Sequence, residues 1–411
     1  MPSLRSTPSL RSTPSLGQQH IHPPLEQIRA QLAQQAAELD RSGAFPHANL
    51  AWLHQHGLLG LACAPDYGGA GASLAVLQQV VSAIAQGEPS TALIVCMQYL
   101  HHLRLAADAD WPEPLRSAVS HSAVRHGALL NSLRVEPELG SPTRGGLPHT
   151  VATRTPTGWR LNGHKLYTTG IEGLSWLAVW ARSDDATPLV GTWLVPRSSP
   201  GITITPSWNH LGMRATGSHE VVLQNVEVPL SHAVSVYPAG QPPAPNTARI
   251  QTAANAHTAL LAAIYDGIAQ TARRWLLGWL QQRVPASLGV PLATLPRVQE
   301  NVGQIDEMLL VNQSLLRQAA AQAFTTEQAN LAKITITENA VNAVGKALAL
   351  TGNHGLTRHN PLERHYRNVL CGRVHTPQND SAWVNAGKAA LAGVAQDTDF
   401  TPKDKDHYVA S

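Results

Sequence analysis

Apolar positions recur along this chain with two different periods. Leu25, Ile28, Leu32, Ala36 and Leu39 follow steps of three and four, the spacing of one helix face. Further stripes of that period run over 74–85 and 91–106, after the turn-rich Ala64-Pro65-Asp66-Tyr67-Gly68-Gly69-Ala70-Gly71. Pro112 follows Asp110-Trp111 and suits the first turn of the next helix. Residues 23–126 are therefore expected to form an N-terminal α-helical domain. From 127 to 236 the pattern shortens. Runs of Val, Leu, Thr and Trp at 159–163, 176–181, 192–195 and 220–223 alternate with Gly, Pro, Asn and Asp, which predicts the strands of a middle β-barrel or sandwich domain. Residues 237–248 are rich in Pro, Ala, Gly and Gln and read as a linker. From 249 to 396 helical periodicity returns in three long stretches, 250–282, 295–323 and 326–350, which predict an antiparallel four-helix bundle. The expected fold is α+β and multidomain, in the order α, β, α. The repeat of Pro-Ser-Leu-Arg-Ser-Thr within residues 1–22 and the tail 397–411 are expected to lie outside it.

Composition narrows the function classes. Of 411 residues, 43% are hydrophobic and 14% charged, which excludes a disordered chain. Thirty Lys and Arg against 27 Asp and Glu leave a net charge of +3, too balanced for a dedicated nucleic-acid binder. Cys63, Cys96 and Cys371 are far apart without a CxxC spacing, so neither a disulfide framework nor a thiolate zinc site is expected. No apolar run approaches the roughly 20 residues of a membrane span. The reading is a soluble, cytoplasmic protein. Twenty histidines raise the question of a metal site. His101 and His102 are adjacent, point to different helix faces, and have no HExxH around them, so no metal is expected.

Five motifs in order carry a resemblance. They are Pro65-Asp66-Tyr67-Gly68-Gly69-Ala70-Gly71, Val135-Glu136-Pro137-Glu138-Leu139-Gly140-Ser141, Leu161-Asn162-Gly163-His164-Lys165-Leu166-Tyr167-Thr168-Thr169-Gly170, Leu211-Gly212-Met213-Arg214-Ala215-Thr216-Gly217-Ser218 and Pro361-Leu362-Glu363-Arg364-His365-Tyr366-Arg367-Asn368. Together they resemble the acyl-CoA dehydrogenase superfamily of flavoproteins, over roughly residues 25–393. The resemblance implies a flavin between the β domain and the C-terminal bundle. The stretch from Val135 to Ser141 and the strand Tyr167-Thr168-Thr169 would flank its ring. Short hydroxyls and backbone amides suit the alternating donors and acceptors of an isoalloxazine edge, and Ser141 suits a phosphate.

A dehydrogenase of this family removes an α-proton with a carboxylate. One usual position lies nine residues after Arg367, which here is Thr376. The other lies ten residues before Gly267, which here is His257. Neither is a carboxylate. The surrounding residues resemble instead the flavin-dependent monooxygenases of the superfamily, the dibenzothiophene and sulfone-utilisation type, which form a C4a-hydroperoxide on reduced flavin. The resemblance rests on Tyr99-Leu100-His101-His102-Leu103, Asn131, Trp208 and Val374-His375-Thr376-Pro377-Gln378. It implies His375, His102 and Asn131 as catalytic residues, with Tyr99, His101 and Trp208 lining a pocket for a small or aromatic organosulfur or similar apolar substrate. Two other readings stay open. One is an FAD-dependent acyl-CoA dehydrogenase whose base is displaced to Glu136, Glu172 or Asp380. The other is a non-catalytic scaffold.

Family dehydrogenases hold the FAD adenine with two stretches from a partner subunit. Here Arg283 is kept, but the residues after it depart from the pattern, and Ala349-Leu350-Thr351-Gly352-Asn353-His354-Gly355 lacks the Gln and one Gly. That favours FMN over FAD. No GxGxxG follows a strand, so NAD(P)H is expected to act on a separate flavin reductase. The resemblance also implies a homotetramer built as a dimer of dimers.

Overall fold

The computed structural model describes residues 23–107, 111–139 and 146–396. The N-terminal layer comprises α1 (Leu25–Ala33), α2 (Ala36–Ser42), α3 (His47–Gln55), α4 (Leu74–Gly87), α5 (Pro89–Ala107) and α6 (Glu113–His126). The first apolar stripe is real but spans two helices. Gln35 interrupts it at φ −102, ψ −5, yet Ile28, Leu32, Ala36 and Leu39 are all buried. Ser73 starts α4 by accepting the Val76 N–H at 3.4 Å, a side-chain cap. Glu88 does the same for α5. Its carboxylate accepts the backbone N–H groups of Ser90 and Thr91 at 3.0 and 2.6 Å, where negative charge suits the helix dipole.

The middle layer holds β1 (Leu129–Leu133), β2 (Val151–Arg154), β3 (Gly158–Thr168), β4 (Leu174–Ser183), β5 (Leu189–Pro196), β6 (Ile202–Thr205), β7 (His219–Pro229) and β8 (Ala233–Pro238). Hydrogen bonding follows one path, β6-β7-β3-β2-β4-β5-β8, with β1 parallel to β4. The β2–β4 step is short and parallel, pairing Val151 with Arg182 and Ala152 with Ser183. It joins two antiparallel halves. Trp159 and Trp193 meet edge to face between them at 5.5 Å, burying large apolar area from both.

The C-terminal layer holds α7 (Thr247–Gln282), α8 (Pro296–Ala320), α9 (Thr326–Thr351), the short α10 (Asn353–Leu356), α11 (Leu362–Leu370) and α12 (Asn379–Gln396). The middle of α7 is buried almost all round, because α4 and α5 cover one side and α8 and α9 the other. A capping box of Thr325 and Gln328 starts α9. Among the described residues, no helix is long and apolar enough to cross a membrane.

One arginine ties the three layers together. Arg367 on α11 pairs with Asp40 on α2 at 2.6 Å and with Glu363 at 2.7 Å. Its Nη1 also donates to the Leu211 carbonyl at 3.0 Å. Gly212 makes that approach possible: a Cβ there would collide with the Arg367 carbonyl. Asn368 then accepts the Met213 N–H at 2.8 Å. The loop 206–218 is thus fixed between the sheet and α11.

Candidate active site

The end of β3 is the first part of the site. Tyr167 adopts φ 54, a left-handed backbone that a bulky residue adopts only at a cost. The twist turns its ring out, 55% exposed. Beside it, Asn131 on β1 donates from Nδ2 to the Thr169 carbonyl at 2.9 Å. Its Oδ1 is therefore the acceptor, and takes the Ser132 N–H at 2.8 Å. His101 Nε2 lies 3.1 Å from the same oxygen and accepts the Ser132 N–H at 3.1 Å. Burial, with Arg104 nearby, pushes His101 down to about 4, and the ring is neutral at pH 7.

Hydroxyl directions can be worked out here. Thr216 Oγ1 donates to the Met213 carbonyl at 3.0 Å. It must then accept from Ser218 at 2.8 Å, and Ser218 must accept from Thr169 at 3.0 Å. The chain runs Thr169 to Ser218 to Thr216 to Met213. It leaves Thr169 Oγ1 offering lone pairs, not a proton. Trp208 donates its indole N–H to the same Met213 carbonyl at 2.9 Å. Its ring stacks on His210 at 3.7 Å and meets Tyr167 edge-on at 6.4 Å. Together these three rings form an aromatic shelf, the Trp208–His210 stack standing nearly perpendicular to the Tyr167 ring.

The second part is the segment after α11, which Met213 and Asn368 couple to the first. Lys333, wholly buried on α9, donates to three carbonyls of this segment: Gly372 at 3.1 Å, His375 at 2.7 Å and Pro377 at 3.2 Å. Burial lowers Lys333 to about 8. His257 on α7 bonds the Thr376 carbonyl at 2.6 Å, so its Nε2 carries a proton. The His375 ring lies 5.9 Å from that of Tyr265. Burial and then the Lys333 charge hold His375 well below the ordinary histidine range. His257 is lowered too, by burial first. Both imidazoles are neutral at pH 7.

Three family models match in sequence. The N-terminal, middle and C-terminal acyl-CoA dehydrogenase domains match residues 26–106, 135–226 and 247–376. The chain belongs to the acyl-CoA dehydrogenase family. Among curated relatives, it is 31% identical to "Putative acyl-CoA dehydrogenase YdbM" of Bacillus subtilis (strain 168), over 87% of this chain and 93% of that one. It is 27% identical to "Amino sugar nitrososynthase DnmZ" of Streptomyces peucetius, over 86% and 88%. A solved structure of KijD3 in complex with FMN and a dTDP-linked amino keto sugar shares the fold, with a TM-score of 0.77 and 24% identity over 91% of this chain and 93% of that one.

The family's flavin fits the donor set at the end of β3. The exposed Tyr167 ring offers an apolar face, and Thr169 offers an acceptor nearby. The Val135 carbonyl is already used by the Leu166 N–H at 2.9 Å, which brings the segment after β1 against β3 as an isolated bridge. Thr168 is buried, with a hydroxyl that has no partner among the described residues. Its side chain therefore points into the interior, whereas the Tyr167 ring is exposed. Ser141 lies outside the described residues. Arg283 lies 26 residues beyond His257 on α7, about 39 Å at 1.5 Å per residue. Within one chain it does not reach the His257 region.

Two expected site residues fall elsewhere. His102 is buried between Cys63 Sγ at 3.3 Å and Gln98 Nε2 at 3.0 Å. Adjacent residues on a helix point about 100° apart, so only His101 turns toward Asn131. Tyr99 is wholly buried and donates to the Leu58 carbonyl at 2.5 Å; it is core, not pocket wall. The displaced-base candidates are engaged as well. Glu136 accepts from Lys165 Nζ, Thr150 Oγ1 and the N–H groups of His149 and Thr150. Burial raises its pKa, but those donors win and hold it below the usual carboxylate range. Glu172 pairs with His219 at 3.3 Å, and Asp380 accepts the Ser381 N–H at the start of α12. His257, Lys333 and Ser218 were not among the expected site residues. Counting back from Gly267 reaches His257, but a search for carboxylates passes over it. Among the described residues, no group of His, Cys, Asp and Glu is placed to hold a metal ion.

Proposed function

We propose that this chain is a reduced-flavin-dependent monooxygenase, taking FMN from a separate NAD(P)H:flavin reductase and oxidising a small or aromatic organosulfur or similar apolar compound. One observation carries the reading. The two family positions for the base, Thr376 and His257, lack a carboxylate, and two neutral histidines, His257 and His375, stand beside Lys333 there. A neutral imidazole 5.9 Å from a buried tyrosine ring is a poor base for an α-proton that must leave with a hydride. As a neutral ring it offers one N–H and one bare nitrogen to hydrogen-bond the reacting oxygens.

When bound, the reduced flavin supplies two electrons and activates dioxygen. One oxygen atom joins the substrate, and the other leaves with two protons as water. His375 offers a hydrogen bond from its single ring N–H. His101 and Asn131 fix the Thr169 carbonyl, and the hydroxyl chain aims a Thr169 lone pair at the ring's edge. An acceptor there suits a reduced flavin, which carries an N–H where the oxidised ring carries a bare nitrogen. Tyr167, Trp208 and His210 supply an aromatic wall beside the substrate. Assembly as a homotetramer would let Arg283 of a second copy reach the cofactor's far end.

Stopped-flow absorbance tests this. Apoprotein loaded with photoreduced FMN is mixed with oxygenated buffer. Reoxidation slower than that of free FMN, and accelerated by an organosulfur substrate, is expected. Reoxidation at the free-solution rate would overturn the proposal. Bleaching of bound FAD by an acyl-CoA would establish dehydrogenation in its place.

A further inference from the structure

On β1, side chains alternate between faces. Asn131 and Leu133 take one face; Leu130, Ser132 and Arg134 take the other. Behind β1 lies a half-open cavity of about 30 Å³, bordered by Arg104, Arg134, Ser132, Trp111, Trp180 and Thr192. Its walls are rich in donors. Arg134 places its guanidinium over the Trp180 ring, 4.5 Å from the centroid. Arg104 is close enough to lower Arg134 further, after burial. Among the described residues, Trp180 Nε1 is buried without a hydrogen-bond partner. Among the described residues, neither arginine has a carboxylate partner, and none of the cavity's lining residues is acidic. A desolvated cation without a counter-charge costs several kcal/mol, and a cation–π contact returns about 2 at most. Two like charges side by side make the imbalance worse.

We propose that this cavity binds a carboxylate, held by the forked guanidinium of Arg134 with Arg104 at the rim. The size argues for that group. A water needs roughly 10–15 Å³ of such space, so the cavity admits two oxygens and no flavin ring. His101 also borders the cavity, and its ring meets Asn131 on the flavin side of β1. The cavity lies behind the strand that leads into the Val135 segment, so its occupant steadies that segment.

Isothermal titration of the whole protein with formate, in a zwitterionic buffer low in chloride, tests the assignment. Saturable binding of one formate per chain is expected. Arg134→Met should weaken it at least ten-fold, and the exposed Arg104→Met several-fold. Should Arg134→Met fail to fold, Arg104→Met and Arg134→Lys carry the test. Tighter binding of butyrate than formate would identify the carboxylate end of a larger ligand; weaker binding would identify a free small ion. Absence of saturable heat, or equal binding in the arginine variants, would overturn the site. Loss of formate binding on saturation with FMN would place it inside the flavin pocket and also overturn it. Failure of the oxygenase assay leaves this test untouched, since formate binding is read without turnover.

Discussion

Two buried lysines hold the two halves of the active site, and they do so differently. Lys165 pins the residues after β1 to the sheet; Lys333 pins the segment after α11 to the bundle. Both are wholly buried, and burial takes both down to about 8. Lys165 meets a carboxylate, Glu136, at 2.6 Å and the Trp180 carbonyl at 2.6 Å. Lys333 meets three carbonyls. The first half is therefore held by opposite charge and the second by donor count. An ion pair cannot lose one partner without stranding the other. Carbonyls that lose a donor remain neutral.

The largest effect should follow from Lys165→Met. It leaves Glu136 charged and buried, and should cost about 3–5 kcal/mol. The double variant Lys165→Met with Glu136→Gln should recover most of that loss, because neither charge is then stranded. Urea unfolding midpoints measure both. A loss below about 1 kcal/mol in the single variant would show that the pair does not anchor the loop.

Acid should come next, and it acts on both halves. His102 is pushed down to about 4, by burial and then His101. His365 is pushed down to about 3, by burial and then Arg364, with neither ring nitrogen partnered among the described residues. A histidine held neutral in the fold binds its proton only on unfolding. Between about pH 6.5 and 4 the unfolded chain therefore holds more protons, and stability falls as pH falls. The slope is roughly 1.4 kcal/mol per pH unit for each histidine, or about 2.8 for the two. The lysines have the same sign in another window: from pH 8 toward 10.5, stability rises with pH as the folded chain sheds its buried charge first. Thermal unfolding from pH 4 to 7 would reveal the acid limb. A flat profile there would remove the claim that these imidazoles are buried neutral.

The two halves also differed in how far the residues alone disclosed them. The α, β, α order was legible because the period of apolar residues changes abruptly near 127 and near 249. The predicted stretch 326–350 and the observed α9 (Thr326–Thr351) nearly coincide, because Thr325 and Gln328 mark the start with a capping box. The end of β3 was legible because Tyr167, Thr168 and Thr169 sit inside a recognisable motif. Lys333 was not, since a lone lysine on an otherwise apolar helix face carries no signal for which carbonyls it will meet. The His101–His102 choice was ambiguous for a related reason. Adjacent residues share a motif, and only the helix's rotation against β1 decides which one turns toward Asn131.

Lys333→Met should have a smaller effect than Lys165→Met. Three carbonyls lose a donor, at about 1–3 kcal/mol, while the removal of a desolvated charge offsets part of that. Its diagnostic consequence is electrostatic. The Lys333 charge is among the causes lowering His375 and His257, so both imidazoles should gain protons at higher pH in the variant. An NMR titration of their ring protons reads this. Unchanged titration midpoints in a folded variant would separate Lys333 from the chemistry and leave it a purely structural residue.

The smallest effect should come from Glu172→Gln, and its smallness is informative. His219 accepts the N–H groups of Ser207 and Trp208 on Nδ1, at 3.1 and 3.0 Å. Its proton is thereby confined to Nε2, which faces Glu172 at 3.3 Å. Glutamine keeps an acceptor for that proton. Glu172 is more than a third exposed, and such pairs contribute about 0–1 kcal/mol. Stability should therefore shift by less than about 1 kcal/mol, and the Trp208 shelf should stay in place. Glu172 is also a position to which a displaced dehydrogenase base was assigned. If it held that role, acyl-CoA-dependent flavin reduction would be present in the parent chain and abolished in Glu172→Gln. Substrate-dependent reoxidation rates within two-fold of the parent, with no acyl-CoA bleaching in either, would leave His257 and His375 as the groups that distinguish this site.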